Sequence, residues 1–385
     1  MNSMHYVGLD VHKKTVAYCV KKKDGEVVDS GSIRATRRDL GEWARLVEYR
    51  WAGAMEATLF TGWIYDFLKP YAVELTVAHP KMLKAIWAGK RKNDKLDAEK
   101  LADLLRCDLL PKCHMSSKKI RDLRRVLRYR NLMVRMAVRM KNKTSGLLME
   151  VGAEYNKKRL HAKRYFHELL DNLEDVPPSV IELLRLTRSG MEVFDGCQRK
   201  LLSALTKHKD LRQRVELLRT IPAVGEVTAL TWALEIGDPH RFSTVNRAVS
   251  YCGLCSAQRE SAGKNTRGPI SKDRNKHLQT ILIEAAKLAP NWNPELAALH
   301  EKETQKGNRN RATLAVARKL VALLLAVDKR GTPYEPKGNR GTDPRVCTPI
   351  LNHHGSVPSF PECEARRKDE VTHITTPPTK AKAKK

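Results

Sequence analysis

The chain has 385 residues, a formal net charge of +29 and 30% charged residues, so it exceeds one ordinary domain and is suited to polyanions, nucleic acid first, through counterion release. An aromatic content of 6% and the lack of a long basic amphipathic segment carrying Trp or Phe argue against a membrane-surface protein. The longest apolar stretch, ATLAVARKLVALLLAV, holds Arg318 and Lys319 in its middle and does not suit a membrane span, and the eight scattered cysteines fit free thiols in a reducing cytoplasm.

Residues 4 to 9, 15 to 21 and 26 to 32 read as three short strands separated by polar turns such as Asp24-Gly25, which predicts an antiparallel meander. A helix follows, with Thr36 as N-cap and Leu40, Trp43 and Val47 along it. Next come a strand at 52 to 57, a helix at 60 to 68, a strand at 72 to 78, a short helix at 81 to 88 and a helix over RKNDKLDAEKLADLL, residues 91 to 105. Asp10 follows the apolar run of the first strand and Glu56 that of the fourth, at the strand ends where α/β sheets collect ligands. On the last helix Asp94 and Asp97 lie three apart and share a face, while Leu101, Ala102, Leu104 and Leu105 supply an apolar side. Acids so placed in this order of elements resemble an RNase H-like domain.

Four carboxylates that converge repel one another unless cations neutralise them. Two magnesium ions about 4 Å apart would do so and would clamp a phosphodiester, one at the attacking and one at the leaving oxygen. Asp10, Glu56, Asp94 and Asp97 are therefore the candidate metal ligands and catalytic acids.

Residues 116 to 152 read as one long helix in which Val126, Met133, Met140 and Leu147 recur every seven positions. Between Lys118 and Lys143 stand eleven Lys or Arg and one acid, Asp122. The stripe suits a coiled-coil seam, and the basic face, with Arg121, Arg124, Arg125, Arg128, Arg135 and Arg139, suits phosphate contacts. A second helix from Ser179 to about His208, after Pro177-Pro178, is expected to return antiparallel to the first. From about residue 211 a helix, the turn IPAVG and another helix follow; Gly225 there either presents backbone N–H groups to a phosphate or simply connects two helices.

A helix near 244 to 252, the polar segment GLCSAQRESAGKNTRGPISKDRN and apolar helices at about 275 to 288 and 310 to 328 complete the pattern. Cys252 and Cys255 form one CxxC without the second pair a zinc ribbon needs. In the polar segment Ser261 lies among Arg259, Lys264, Arg267 and Lys272, and on residue type alone it is one loop hydroxyl among several, with Ser256 and Ser271 nearby. Beyond about Gly331 fall eight prolines and the terminus TKAKAKK, which predict a disordered basic tail.

The motifs GLDVHKKT around Asp10, MEAT around Glu56, AHP before a helix and KNDKLDA carrying Asp94 and Asp97 resemble the DEDD transposases of the insertion-sequence family one-ten, with the Piv-type invertases as relatives. IPAVGEVTALTWALEIGDPHRF, YCGL, Ser261, GPISK and VARKLVALLLA with PYEP continue the resemblance, which covers roughly residues 4 to 336. It implies a RuvC-like nuclease domain at 1–113, a helical coiled-coil insertion at 114–209, a mostly α transposase domain at 210–330 and a tail at 331–385. It further implies Mg²⁺ held by the four acids, Ser261 as the nucleophile in a composite active site, and a structured bridge RNA that pairs with donor and target DNA. Three positions depart from the family's pattern: Ala262 stands between Ser261 and Gly263, Ala223 replaces a turn glycine, and Asp273-Arg274-Asn275 replaces a step that commonly holds glycine. Strand exchange between two duplexes calls for a homodimer or homotetramer. The competing readings are a Holliday-junction-type nuclease that hydrolyses with water and a catalytically inactive nucleic-acid binder.

Overall fold

The first strand is apolar on both faces, as a central strand flanked by helix layers must be. In the computed structural model, which describes residues 4–86, 93–261 and 263–336, this strand is β1 (His5–Val11). It pairs antiparallel with β2 (Thr15–Lys21), which pairs antiparallel with β3 (Val27–Arg34), giving the expected meander. Helix α1 (Arg37–Leu46) starts at Thr36, whose hydroxyl accepts from the Asp39 amide. Strand β4 (Trp51–Glu56) then joins the other side of β1 in parallel. After α2 (Thr61–Leu68), β5 (Glu74–Ala78) runs parallel to β4. Helices α3 (Pro80–Ile86) and α4 (Asp94–Arg106) lead to β6 (Lys112–Cys113), antiparallel to β5.

The sheet order is therefore β3-β2-β1-β4-β5-β6. Leu40 and Ala44 of α1 with Ile64 and Leu68 of α2 cover one face, and Leu83 of α3 with Leu101 and Leu105 of α4 cover the other. The α/β expectation holds, with one addition: β6 is two residues after Pro111, too short to leave an alternation signal.

Two long helices follow. Helix α5 (Lys118–Glu150) and, after α6 (Lys163–Asp171), α7 (Pro178–Thr206) pack against each other along their length. The buried line on α5 passes through Leu127, Ala137, Thr144, Leu147 and Leu148; Val126, Met133 and Met140 of the expected seven-residue stripe are only half-buried. In the middle of the pair the small Ala137 and Thr144 are the buried residues, letting the helices approach where Met133 and Met140 stay half-buried. A Cβ on Gly190 of α7 would stand 3.3 Å from the Met140 sulfur, and the buried Thr144 hydroxyl donates to Thr187 at 3.0 Å.

The remaining helices are α8 (Lys209–Arg219), α9 (Glu226–Ile236), α10 (Val245–Tyr251), α11 (Lys276–Leu288), α12 (Pro294–Gln305) and α13 (Arg309–Arg330). Every residue of α9 from Thr228 to Ile236 is buried, so α9 is the core helix of this part, with α8, α11 and the start of α5 packed on it. Ile120, Leu123 and Val126 at the start of α5 pack into the same core. The polar segment contains a hairpin, β7 (Ser256–Ser261) and β8 (Lys264–Ile270), that no hydrophobic alternation announces. Helices α6 and α12 also went unanticipated, each with one buried side chain of its own, Phe166 and Leu296. Gly331 closes α13 in the left-handed conformation (φ 66°), and residues of the expected tail beyond 336 lie outside the described residues. No described helix is long and apolar enough to cross a membrane.

Candidate functional site

The site is built where β1 and β4 end beside each other under the first turn of α4. Leu9 pairs with Met55, so Asp10 and Glu56 occupy neighbouring strand ends. The turn after Glu56 is pinned by Thr61, whose hydroxyl donates to the Glu56 carbonyl at 2.6 Å and accepts from the Thr58 amide at 2.8 Å. Asn93 caps α4 by accepting from the Lys95 amide, so Asp94 and Asp97 share a face of the helix as expected and stand in its first turn. Residues 91 and 92, at the start of the predicted helix, lie outside the described residues.

Helix α4 is brought down onto the sheet by two devices. Gly8 leaves room for it: a Cβ there would fall 1.8 Å from the Ala98 carbonyl oxygen and 2.6 Å from the Ala102 nitrogen. Lys21 on β2, almost wholly buried, donates to Glu99 at 2.9 Å and to Asp103 at 2.8 Å. Burial pulls the Lys21 ammonium down, but its hydrogen bonds to Asp103 and Glu99 outweigh that and hold its pKa above the ordinary value. Neither Gly8 nor Lys21 stands out in the sequence as a site residue; the signal for Gly8 is that it immediately precedes Leu9-Asp10 inside a strand, where glycine marks a close backbone approach.

At the centre His12 Nε2 lies 3.0 Å from Asp10 Oδ2 and 3.4 Å from Asp94 Oδ1. One ligand atom from each of Asp10, His12 and Asp94 falls within 4.8 Å of the others, close enough to share one metal ion. Burial pushes the Asp10 carboxyl up, His12 pulls it back, and the charges of Asp94 and Asp97 push it up again, so its pKa is raised. A divalent cation would offset both the burial and the neighbouring charges that disfavour the ionised carboxyl, and the donor set fits one. His12 sits in the GLDVHKKT motif but was not singled out by the acid pattern. Asp97 is half-buried with Lys100 3.7 Å away, and Glu56 is half-buried at its strand end.

Ser261 ends β7, exposed, and its backbone pairs with Lys264 across the hairpin tip. Among the described residues it makes no hydrogen bond to Asp10, Glu56, Asp94 or Asp97. Gly263 takes φ 75° in open space, and Ala262 lies outside the described residues. Arg259 and Arg267 hold positions in the two strands, and Lys264 and Lys272 are exposed. Asn275, one of the departures from the glycine step, caps α11 by accepting from His277 and Leu278. Gly225 is the exposed N-cap of α9 without a side-chain cap, and Glu226 places an acid in that first turn.

The α5 arginines divide into two groups. Arg121 pairs with Asp66, Arg124 donates to the Leu234 carbonyl at 2.8 Å, and Arg128 grips the fully buried Glu235 through two 2.8 Å bonds. Arg125, Arg135 and Arg139 are exposed.

Comparison with known proteins agrees with this arrangement. A family model described as Transposase, the DEDD type of IS110, matches residues 7–152, and a second, described as Transposase IS116/IS110/IS902 family, matches residues 215–301. The chain is 23% identical to the transposase for insertion sequence element IS1111A of Coxiella burnetii, over 87% of this chain and 92% of that one. It is 26% identical to the transposase for IS1328 of Yersinia enterocolitica, over 73% and 84%. A pilin gene-inverting protein of Moraxella bovis is 26% identical over 33% of this chain and 41% of its own. With one model over the four acids and the other over the hairpin of Ser261, the chain belongs to the IS110 family of transposases, enzymes that cut and rejoin DNA.

Proposed function

We propose that the protein mobilises its own insertion sequence as an RNA-guided DNA recombinase whose cleavage depends on Mg²⁺ and on a serine nucleophile. The observation that carries the metal reading is the convergence of Asp10, His12 and Asp94 within 4.8 Å at the edge of the sheet. Asp10, Glu56, Asp94 and Asp97 would hold the metal, two ions in the full site, which supplies Lewis-acid polarisation of the scissile phosphate. His12 orients Asp10 through the 3.0 Å contact of its Nε2 and stands 3.4 Å from Asp94.

Ser261 then attacks phosphorus. Its oxygen forms a bond to the phosphorus, the bond to one sugar oxygen breaks, and that oxygen leaves as a hydroxyl. The serine proton passes to solvent and the departing oxygen regains one, so a phosphoserine link stores the bond for rejoining without net hydrolysis. The exposed place of Ser261 at a hairpin tip, beside Lys264 and within reach of an incoming strand, supports this role. Arg259, Lys264, Arg267, Lys272 and Gly225 would bind the DNA backbone near the serine, and the α5 arginines the nucleic acid farther out. The segments 1–113, 114–209 and 210–330 would act as nuclease, helical and transposase parts, with the helix pair extending into a coiled coil between copies.

A net charge of +29 supports a second polyanion besides the DNA, and the motif resemblance supports a structured guide RNA, which would take over sequence choice by base pairing. The enzyme would then act in the cytoplasm on donor and target sites of the same cell.

The test is an adduct assay with purified protein, Mg²⁺, labelled donor and target DNA and RNA from the flanking noncoding region, resolved on a denaturing protein gel. Label should travel with the wild type and be lost in Ser261→Ala, in Asp97→Ala and on omission of RNA. Hydrolysis by water has one observation in its favour, that among the described residues Ser261 makes no hydrogen bond to the acids. Free cut ends without adduct, unchanged in Ser261→Ala, would establish that alternative, and RNA binding without any cleavage would establish an inactive binder.

A further inference from the structure

Between the middle of α5 and the start of α11 lies an open groove of about 420 Å³. Six permanently cationic side chains line it: Arg121, Arg124, Arg125, Arg128, Arg135 and Lys276. Three acids are paired with them, Asp66 with Arg121, Glu235 with Arg124 and Arg128, and Asp122 with Arg125. The groove therefore keeps an excess of positive charge, concentrated at Arg135 and Lys276, which are exposed and have no ion-pair partner among the described residues. Into the same groove projects Tyr129, a ring 59% exposed on a helix otherwise rich in cations.

The walls are rigid. Arg128 and Asn275 both donate to the fully buried Glu235, so the helix that carries Tyr129 and the residue that caps α11 are fixed to one carboxylate. His277 reports the field at the floor: burial lowers its pKa, and Arg128, Lys276 and Arg135 lower it further against the opposing pull of Glu235.

We propose that this groove binds an unpaired stretch of nucleic acid, its phosphates on Arg135, Lys276 and Arg125 and one base stacked on Tyr129. The inference rests on the recombinase reading for its ligand class and adds a site to it. An unpaired strand is favoured over a duplex because a duplex keeps its base faces inside the stack and leaves the ring unused, whereas cations interleaved with an exposed aromatic match a single strand. Leu132 beside Tyr129 supplies the apolar edge such a base covers.

The experiment is an anisotropy titration of the full chain against a short labelled oligonucleotide as single-stranded DNA, as single-stranded RNA and as a duplex, at several salt concentrations. Tyr129→Leu should weaken single-strand binding by about tenfold with the salt slope unchanged. Arg135→Ala with Lys276→Ala should reduce the slope of log K against log salt by about 1.4, and Arg38→Ala, a surface cation outside the groove, should do neither. Tighter binding of RNA or of DNA, lost in Tyr129→Leu, identifies the strand as guide or substrate, and either result supports the site. Wild-type single-strand affinity in Tyr129→Leu, or equal losses for the duplex, overturns it. If the Ser261-dependent adduct persists in that case, the groove falls while the recombinase reading stands; if the wild type binds no nucleic acid, both fall.

Discussion

The Ala98 carbonyl oxygen would stand 1.8 Å from any Cβ at residue 8, and that oxygen belongs to the backbone of a helix that cannot swing aside. Gly8→Ala must therefore lift α4 from β1, which moves Asp94 and Asp97 away from Asp10. Overpacking of this kind costs about 1–3 kcal/mol, measurable by urea unfolding, and cleavage should fall further than stability does. Full activity in a variant shown by circular dichroism to be folded would mean that the spacing of α4 over the sheet does not matter to the reaction. Ala223 is the opposite case. Its φ of 77° lies in the left-handed region, where a Cβ is strained, in the turn where the Val224 amide bonds back to the Ile221 carbonyl. Ala223→Gly should raise unfolding stability by roughly 0.5–1 kcal/mol, the relief of strain exceeding the extra freedom of the unfolded chain. An unchanged or lower stability would show that the turn tolerates the side chain.

At the scale of elements, the start of α5 is fastened to α9 and α11 through Glu235. Burial pushes that carboxyl up, but the hydrogen bonds from Arg128 and Asn275 and the charges of Arg128 and Arg124 outweigh it and hold its pKa below 4.5. A depressed acid stabilises the fold above its unfolded pKa and loses that contribution as pH falls through the folded one. The protein should therefore lose stability below about pH 4.5, and Glu235→Gln should be less stable at neutral pH by about 3 kcal/mol with a flatter acid limb. Parallel acid limbs in the two proteins would remove Glu235 from the account. This clamp was hidden in the sequence, since the arginines of α5 look alike there and only tertiary partners separate Arg124 and Arg128 from Arg135. Five of the sheet's six strands, by contrast, were legible from short apolar runs bounded by turn residues, and Asp10 and Glu56 stand where two of those runs end. The hairpin of Ser261 was not, because both of its strands are polar and carry no alternation to read. His12 escaped for a related reason, as a pattern of carboxylates says nothing about the imidazole two residues on.

Across the whole molecule, the acids and the serine belong to different parts of the chain. Lys81 of α3 pairs with Asp273 just past the hairpin, so the helix layer on the sheet and the segment after the hairpin touch, yet among the described residues Ser261 makes no hydrogen bond to the four acids. Both partners of that ion pair are well exposed, and a surface pair of this kind is too weak to hold the hairpin against the pull of a bound strand. Exchange between two duplexes also needs more than one active centre in the assembly. An arrangement that meets both conditions lets the acids of one copy work with Ser261 of another. Copurifying Ser261→Ala chains with Asp97→Ala chains tests it, since on the proposed roles each variant alone should form no adduct. If sites are shared, a mixed assembly contains one centre with intact acids and an intact serine, and adduct should reappear, carried by the chain that retains Ser261. If each chain uses its own serine, every centre in the mixture lacks one component and no adduct should form. Differently sized tags on the two chains show on the gel which one carries the label, and a crosslink between the tags verifies that mixed assemblies formed.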